Sequence, residues 1–485
     1  MGKETKNILC NRIEKVILFI LLFIMNIGIG KGAEVTYQTF RDFYNYGAIA
    51  CFFLVLLLIR KAKVWRPLPV IISVVYITLS FLYFYKWNFE AELFRAMFAK
   101  CISIWFFLLL LIDLIVAKKI VKWKERNIFL TVLFLSAIVL SVIISPQRKT
   151  LIYVIFPFVI FYFVRISLNK WKELMLYFST SMWLSVTALF VKSLIAVPYT
   201  GERYLGTFLN ISTAGALAGC GVVCAFYWLL LLRGKDKKTN ILRIFSVIAL
   251  IISLCFLFMV NTRTSEVAVV MMFLFGVMFW GGCHESRVIK RRILTWSITF
   301  IGICLVFILG LWGLYHLDIE NMKDSISNET IYNNLEYWIG TAKYTFDTKD
   351  SYFGEGTILS MLDSFTSGRI AIWAGYLQDL NWFGHPDFYC VVNNWDLPHN
   401  TYIGWLFQYG IIGGLPFVVW FIGVVIFLLK KSYRGDFKYL FAFLWIVYAG
   451  FAMGGEYVPW IYPLCFFTLI IQYPVLVHIT AENND

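Results

Sequence analysis

Charge is what this sequence most lacks. Only 15% of its 485 residues are Asp, Glu, Lys or Arg, against about 25% in a soluble domain. With 60% hydrophobic residues and a mean hydropathy of +0.74, it has too little polar surface to cover itself in water, which excludes a free-standing soluble enzyme. Its 10 cysteines form no spaced framework, and Cys390 alone falls in a polar loop, so a disulfide scaffold is excluded. The patterns that announce metal or nucleotide chemistry are also missing: there is no HExxH, CxxC or Walker A. Gly28-Ile29-Gly30-Lys31-Gly32 ends an apolar run and lacks the strand–helix setting of a dinucleotide site. Asp318 and Glu320 are two carboxylates where a cation needs further ligands. No metal or cofactor is therefore expected. The basic stretch 1–15 is followed by no small-residue cleavage site, so no removable signal peptide is expected.

What is present is a series of apolar runs, most of them long enough to cross a hydrocarbon core of ~30 Å as a helix. About fourteen spans are expected, near 16–30, 43–59, 67–85, 100–117, 128–144, 150–164, 174–197, 209–232, 244–260, 266–282, 293–314, 401–429, 439–455 and 459–477. The run 150–164 is short and holds Pro157; 401–429 is interrupted by Gly413, Gly414 and Pro416. Aromatic residues reach 19%, with 18 Trp and 27 Tyr, rings that favour the headgroup zone. The net charge of +14 is gathered in short clusters between spans. It offers no continuous basic face, so nucleic acid is not an expected partner. Of 43 Lys and Arg, 29 fall on one side and 13 on the other, with Lys192 inside a span. Positive charge stays on the cytoplasmic side, so both termini are expected inside. Lys192 and Asp113 sit near span ends, where long or charged side chains reach the interface.

The expected organisation is an all-α integral membrane protein. It comprises an N-terminal transmembrane bundle over 1–314, an extracytoplasmic loop over 315–400, and C-terminal transmembrane helices over 401–485. The loop carries twelve acidic residues against Lys323, Lys343, Lys349 and Arg369. Its length far exceeds an ordinary connection, which points to function. Helical stretches are expected within it at 331–345 and 367–380.

The outer side keeps few cations. Arg203 lies in Gly201-Glu202-Arg203-Tyr204-Leu205-Gly206-Thr207-Phe208. Arg263 lies in the short turn Asn261-Thr262-Arg263-Thr264-Ser265. Arg369 follows Thr366-Ser367-Gly368 and begins an amphipathic helix with Ile370, Trp373, Leu377 and Leu380 on its apolar face. With Thr366 or Ser367 as N-cap, Arg369 falls in the first turn, where a guanidinium and unpaired backbone N–H groups together suit a bound anion. Three such forks can clamp a diphosphate. Each arginine can equally pair with a local carboxylate, such as Glu202 or Glu266, or with lipid phosphate. His399, in Pro398-His399-Asn400-Thr401-Tyr402 at the mouth of a span, has an imidazole suited to taking a proton from a hydroxyl at neutral pH. It can equally serve as an interfacial residue packed near Trp395. His385, in Gly384-His385-Pro386, competes for the same role.

Taken in order, these motifs, with Asn210 and Gln408-Tyr409-Gly410-Ile411-Ile412-Gly413-Gly414, resemble the O-antigen ligase and polysaccharide polymerase superfamily of bacterial membrane proteins. The likeness runs over about residues 200–430; the first two hundred match only as a hydrophobic bundle. The resemblance implies a GT-C-like helical bundle and a glycan donor carried on undecaprenyl diphosphate. Arg203 and Arg263 would hold the diphosphate with Arg369 near it, Asn400 would contact substrate, and His399 would activate the acceptor hydroxyl. It implies metal-independent, inverting transfer to an acceptor glycan or lipid at the outer face of the cytoplasmic membrane. Membrane lipids and other polysaccharide-assembly proteins would be its partners. Thr262 and Thr264 flank Arg263 where many members place Ser, and 333–360 matches no known segment.

A polymerase joining repeat units is favoured over a ligase, because lysine- and asparagine-rich loops hint at a source without lipopolysaccharide. A multi-span flippase for lipid-linked oligosaccharides is the rival; it would favour related halves, mid-span charge and short loops. The topology is directly testable. A reporter fused near Asp350 is expected to report from outside, and reporters near Lys237 and Lys431 from the cytoplasm. Labelling of 315–400 only in broken cells would overturn this arrangement.

Overall fold

In lipid a chain must satisfy its own backbone hydrogen bonds, so apolar runs become helices even where β-branched residues abound. The computed structural model describes residues 3–32, 38–60, 92–117, 127–144, 163–199, 203–208, 211–231, 237–280, 368–385, 389–392 and 397–429, with isolated positions elsewhere. Among these the protein is helical and has no strand. Its helices are α1 (Lys3–Gly32), α2 (Gln38–Arg60), α3 (Glu92–Ala117), α4 (Ile128–Ile144), α5 (Leu168–Ala196), α6 (Ile211–Leu231), α7 (Lys237–Val260), α8 (Arg263–Trp280), α9 (Arg369–Gln378) and α10 (Thr401–Leu429). Five contain segments long and apolar enough to cross a membrane: Ala99–Val116, Glu173–Ala196, Ile211–Leu229, Asn240–Val260 and Thr401–Val424. The expected spans near 67–85, 150–164, 293–314, 439–455 and 459–477 fall wholly or mainly outside the described residues, as does most of 315–362.

The chain divides into two compact units, Met1–Phe273 together with Leu415–Asp485, and Leu274–Gly414. In the first, α1 packs on α2 and α5, α2 on α3, and α5, α6 and α7 on one another. Small residues let these backbones approach, as they must where lipid supplies no hydrophobic drive between helices. At Gly221 of α6 an added Cβ would lie 2.7 Å from Ser253 Oγ of α7 and 2.9 Å from Val186 Cγ1 of α5. Buried Asn26 of α1 donates to Ser181 Oγ of α5 at 2.8 Å, which fixes the register of that pair. Lys15 and Glu173 join the same helices nearer the α1 N-terminus at 3.0 Å. The Glu173 hydrogen bond and charge raise the Lys15 pKa, but both side chains are too exposed for the pair to stabilise much. Asp113 is buried within α3 rather than reaching towards an interface, because the helix face that carries it is packed against protein. Asn127 caps α4, its Oδ1 accepting from Leu130 N at 3.3 Å.

In the second unit, Ile372 and Tyr376 of α9 pack with Cys390 and Phe407, flanked by Trp373, Leu380 and Ile403. The Tyr376 and Phe407 rings meet edge-on at 4.6 Å. α10 breaks here. The interruption lies at Gly410, with φ 67° and ψ 178°, rather than at Gly413, Gly414 or Pro416, which continue the helix. The reason is a docked turn, 381–385. Ile411 N donates to the Asn381 carbonyl at 3.0 Å, Ile412 N to the Trp382 carbonyl at 3.2 Å, and His385 N to the Phe407 carbonyl at 3.0 Å. Backbone groups freed by the break are thus paired again, as the membrane interior and its boundary require. A Cβ at Gly410 would strike the Trp382 carbonyl and Gly384 N. Gly410→Ala is therefore expected to lower the thermal midpoint of the protein in lipid or detergent, with loss of more than ~1 kcal/mol from the left-handed conformation alone. An unchanged midpoint would contradict the break as described.

Candidate functional site

The first unit gathers two of the sequence motifs at one end of α5, α6, α7 and α8. The segment 203–208 is a tight turn held by Tyr204. Its N–H donates to the Met259 carbonyl of α7 at 2.8 Å, and its hydroxyl donates to the Val197 carbonyl at 2.9 Å. Ser193 Oγ lies 3.1 Å from that hydroxyl and accepts from Thr207 N at 3.0 Å. Gly206 (φ 57°) permits the turn, since a Cβ there would strike Ser193 Oγ. Phe190, Phe208 and Phe256 pack around this anchor, Phe190 stacking on Phe256 at 4.5 Å. Buried Tyr204 thereby fixes the backbone beside Arg203, whose side chain is exposed. No carboxylate among the described residues pairs with Arg203.

The same anchor ties Arg203 to the α7–α8 turn, because Met259 is two residues from Asn261. Asn261 ends α7 in the left-handed conformation (φ 52°), its N–H bonded to the Leu257 carbonyl at 3.1 Å. Asn tolerates that conformation at a helix end. Arg263 then opens α8, and Glu266 in its first turn donates its backbone N–H to the Thr262 carbonyl at 3.0 Å. Gly215 of α6 lets the turn seat closely, since a Cβ there would strike Thr262 Oγ1 and lie 2.6 Å from Ser265 Oγ. Thr262 Oγ1 is buried without a hydrogen-bond partner among the described residues.

The second unit carries Arg369, His399 and Asn400. Arg369 is the first residue of α9, but the N-cap is Gly368 (φ 79°), not Thr366 or Ser367. The cap function comes from Asp363. Its carboxylate accepts from Ala371 N at 2.7 Å, and its carbonyl from Gly368 N at 2.7 Å. One N–H expected to face a bound anion is thus already occupied by this buried carboxylate, because a helix N-terminus takes the nearest negative charge. Trp373, one turn along from Arg369, donates its indole N–H to the Pro398 carbonyl at 2.9 Å. The face of α9 that begins at Arg369 is therefore tied to the residue preceding His399.

His399 has φ 49°, a conformation that costs a non-glycine residue about 1–2 kcal/mol. It is half-buried at the mouth of α10. Asn400 follows as the helix cap, its Oδ1 accepting from Tyr402 N at 3.0 Å and Ile403 N at 3.1 Å. Asn400, expected to contact substrate, has its Oδ1 committed to the start of the helix, and this cap fixes the backbone that follows His399. His385 is built into structure: its ring stacks on Phe407 at 3.9 Å and 7°, and its Nε2 lies 2.7 Å from the Asp379 carbonyl. Asp363 and the Trp373–Pro398 bond have no local sequence signal, since both join residues across several turns. The Asn400 cap has a local signal, an Asn before an apolar run, although Asn400 was expected to contact substrate.

The chain matches no model of a known protein family and no curated protein.

Proposed function

We propose that this protein is a membrane glycosyltransferase of the O-antigen ligase and polysaccharide polymerase type, working in surface polysaccharide assembly. In this reading about fourteen spans form a GT-C-like bundle in a bacterial cytoplasmic membrane, with both termini inside and the chemistry outside. The donor is a glycan on undecaprenyl diphosphate, and a polymerase is favoured over a ligase.

The observation that carries the reading is the backbone of the four outer motifs. Each turns on a left-handed residue, at Gly206, Asn261, Gly368 and His399. Three are types that accept this conformation easily. His399 pays more, and strain of that kind persists where the surrounding structure holds it and tends to mark working sites. The Asn400 cap and the Trp373 bond to Pro398 supply that hold.

The reaction follows from the side chains. The His399 imidazole takes the proton of an acceptor hydroxyl as that oxygen bonds to the anomeric carbon. The bond from that carbon to the diphosphate oxygen breaks, and its electron pair leaves with undecaprenyl diphosphate. Arg203 and Arg263, with Arg369, stabilise the charge that develops there, so the leaving group needs no proton. Attack opposite the leaving group inverts the anomeric centre.

Purified variants in lipid test these roles. His399→Ala is expected to bind lipid-linked donor normally and to lose transfer by ~10²–10⁴-fold, the usual cost of removing a general base. Arg203→Lys and Arg263→Lys keep charge but lose the fork, and severe loss at normal membrane levels is expected. His385→Ala should retain most transfer and melt earlier, since its ring packs on Phe407. Wild-type transfer by His399→Ala would remove that residue from the chemistry.

A further inference from the structure

We propose that the turn 381–385 is a membrane-interface anchor whose Trp382 and Phe383 side chains seat in the headgroup–acyl boundary of the outer leaflet. The inference rests on α10 crossing the membrane and is independent of the transfer chemistry.

The depth of the turn comes from α10. Lys430 and Lys431 follow this helix in the sequence and mark its watery end. The stretch 411–429 is about 28 Å long at ~1.5 Å per residue, the thickness of a hydrocarbon core. The break at Gly410 therefore falls at the opposite boundary, and 411–429 crosses the membrane alone. The turn is bonded to that boundary: the carbonyls of Asn381 and Trp382 accept from Ile411 N and Ile412 N.

The turn is also rigid. Asn381 Oδ1 accepts from Phe383 N at 3.0 Å and from Gly384 N, and Gly384 (φ 82°) makes the reversal. On this fixed frame Trp382 is 63% and Phe383 71% exposed. Two successive large aromatics held outward at the level of a membrane boundary match the preference of Trp for the headgroup zone. Within α10, exposed Ile412, Leu415, Val419 and Ile422 recur at steps of three and four, which makes one lipid-facing stripe. Ile412, at the head of the stripe, donates its backbone N–H to the Trp382 carbonyl, so the turn that carries the aromatic pair is bonded to α10 at that point.

The test places a photoreactive benzophenone amino acid at position 383, and separately at 422, in the full chain reconstituted in phosphatidylglycerol–phosphatidylethanolamine vesicles. Adducts are identified by mass spectrometry. Phospholipid adducts from 383 as abundant as those from 422 are expected. Lipid adducts from 422 with none from 383 would overturn the anchor, as would crosslinks from 383 to a second copy of the chain. Absence of lipid adducts at both positions would instead overturn the spanning of α10, and the anchor with it.

Discussion

The structure depends on one constraint: where water is excluded, by lipid or by a packed protein interior, every backbone N–H and C=O must find a partner within the protein. Helices meet it along their length, and the difficulty collects at their ends and breaks. The protein answers it there with side chains and turns. Asn127 and Asn400 cap α4 and α10, Asp363 caps α9, and the 381–385 turn repairs the break at Gly410. The residues proposed to carry chemistry sit in these repairs: Arg203 precedes Tyr204, which bonds the end of α7, Arg369 opens α9, and His399 precedes the α10 cap.

This gives the site candidates stiff supports. Tyr204 has hydrogen bonds from both main chain and hydroxyl, and three phenylalanines enclose its turn. The backbone beside Arg203 cannot shift without breaking them. His399 is likewise fixed from both sides, by the Trp373 bond to Pro398 and by the helix that Asn400 starts. An arginine clamp and a general base both need such fixity, since small errors in position cost large factors in rate.

Helix identity and the membrane character were legible in the sequence because both follow from apolar composition and length. The turn at Asn261 was legible as a short polar break between two apolar runs. The break in α10 was not. Gly413, Gly414 and Pro416 are the stronger local breakers, yet the helix opens at Gly410, because a segment some 25–30 residues earlier supplies the partners there. The cap of α9 was misplaced to Thr366 or Ser367 for a similar reason, since a carboxylate from the preceding segment outcompetes a hydroxyl. The role of His385 was left open by its sequence setting, and its stacking on Phe407 joins it to the fold. Tertiary partners, invisible to a local reading, decided each case.

The central claim is that the protein breaks the bond between a glycan and undecaprenyl diphosphate at the outer face. The most direct measurement supplies purified protein in vesicles with undecaprenyl-diphosphate-linked repeat units and follows the lipid products by mass spectrometry. The account predicts free undecaprenyl diphosphate together with lengthened lipid-linked glycans, formed equally well with a chelator present. Intact donor moved from one leaflet to the other, with no undecaprenyl diphosphate released, would contradict it.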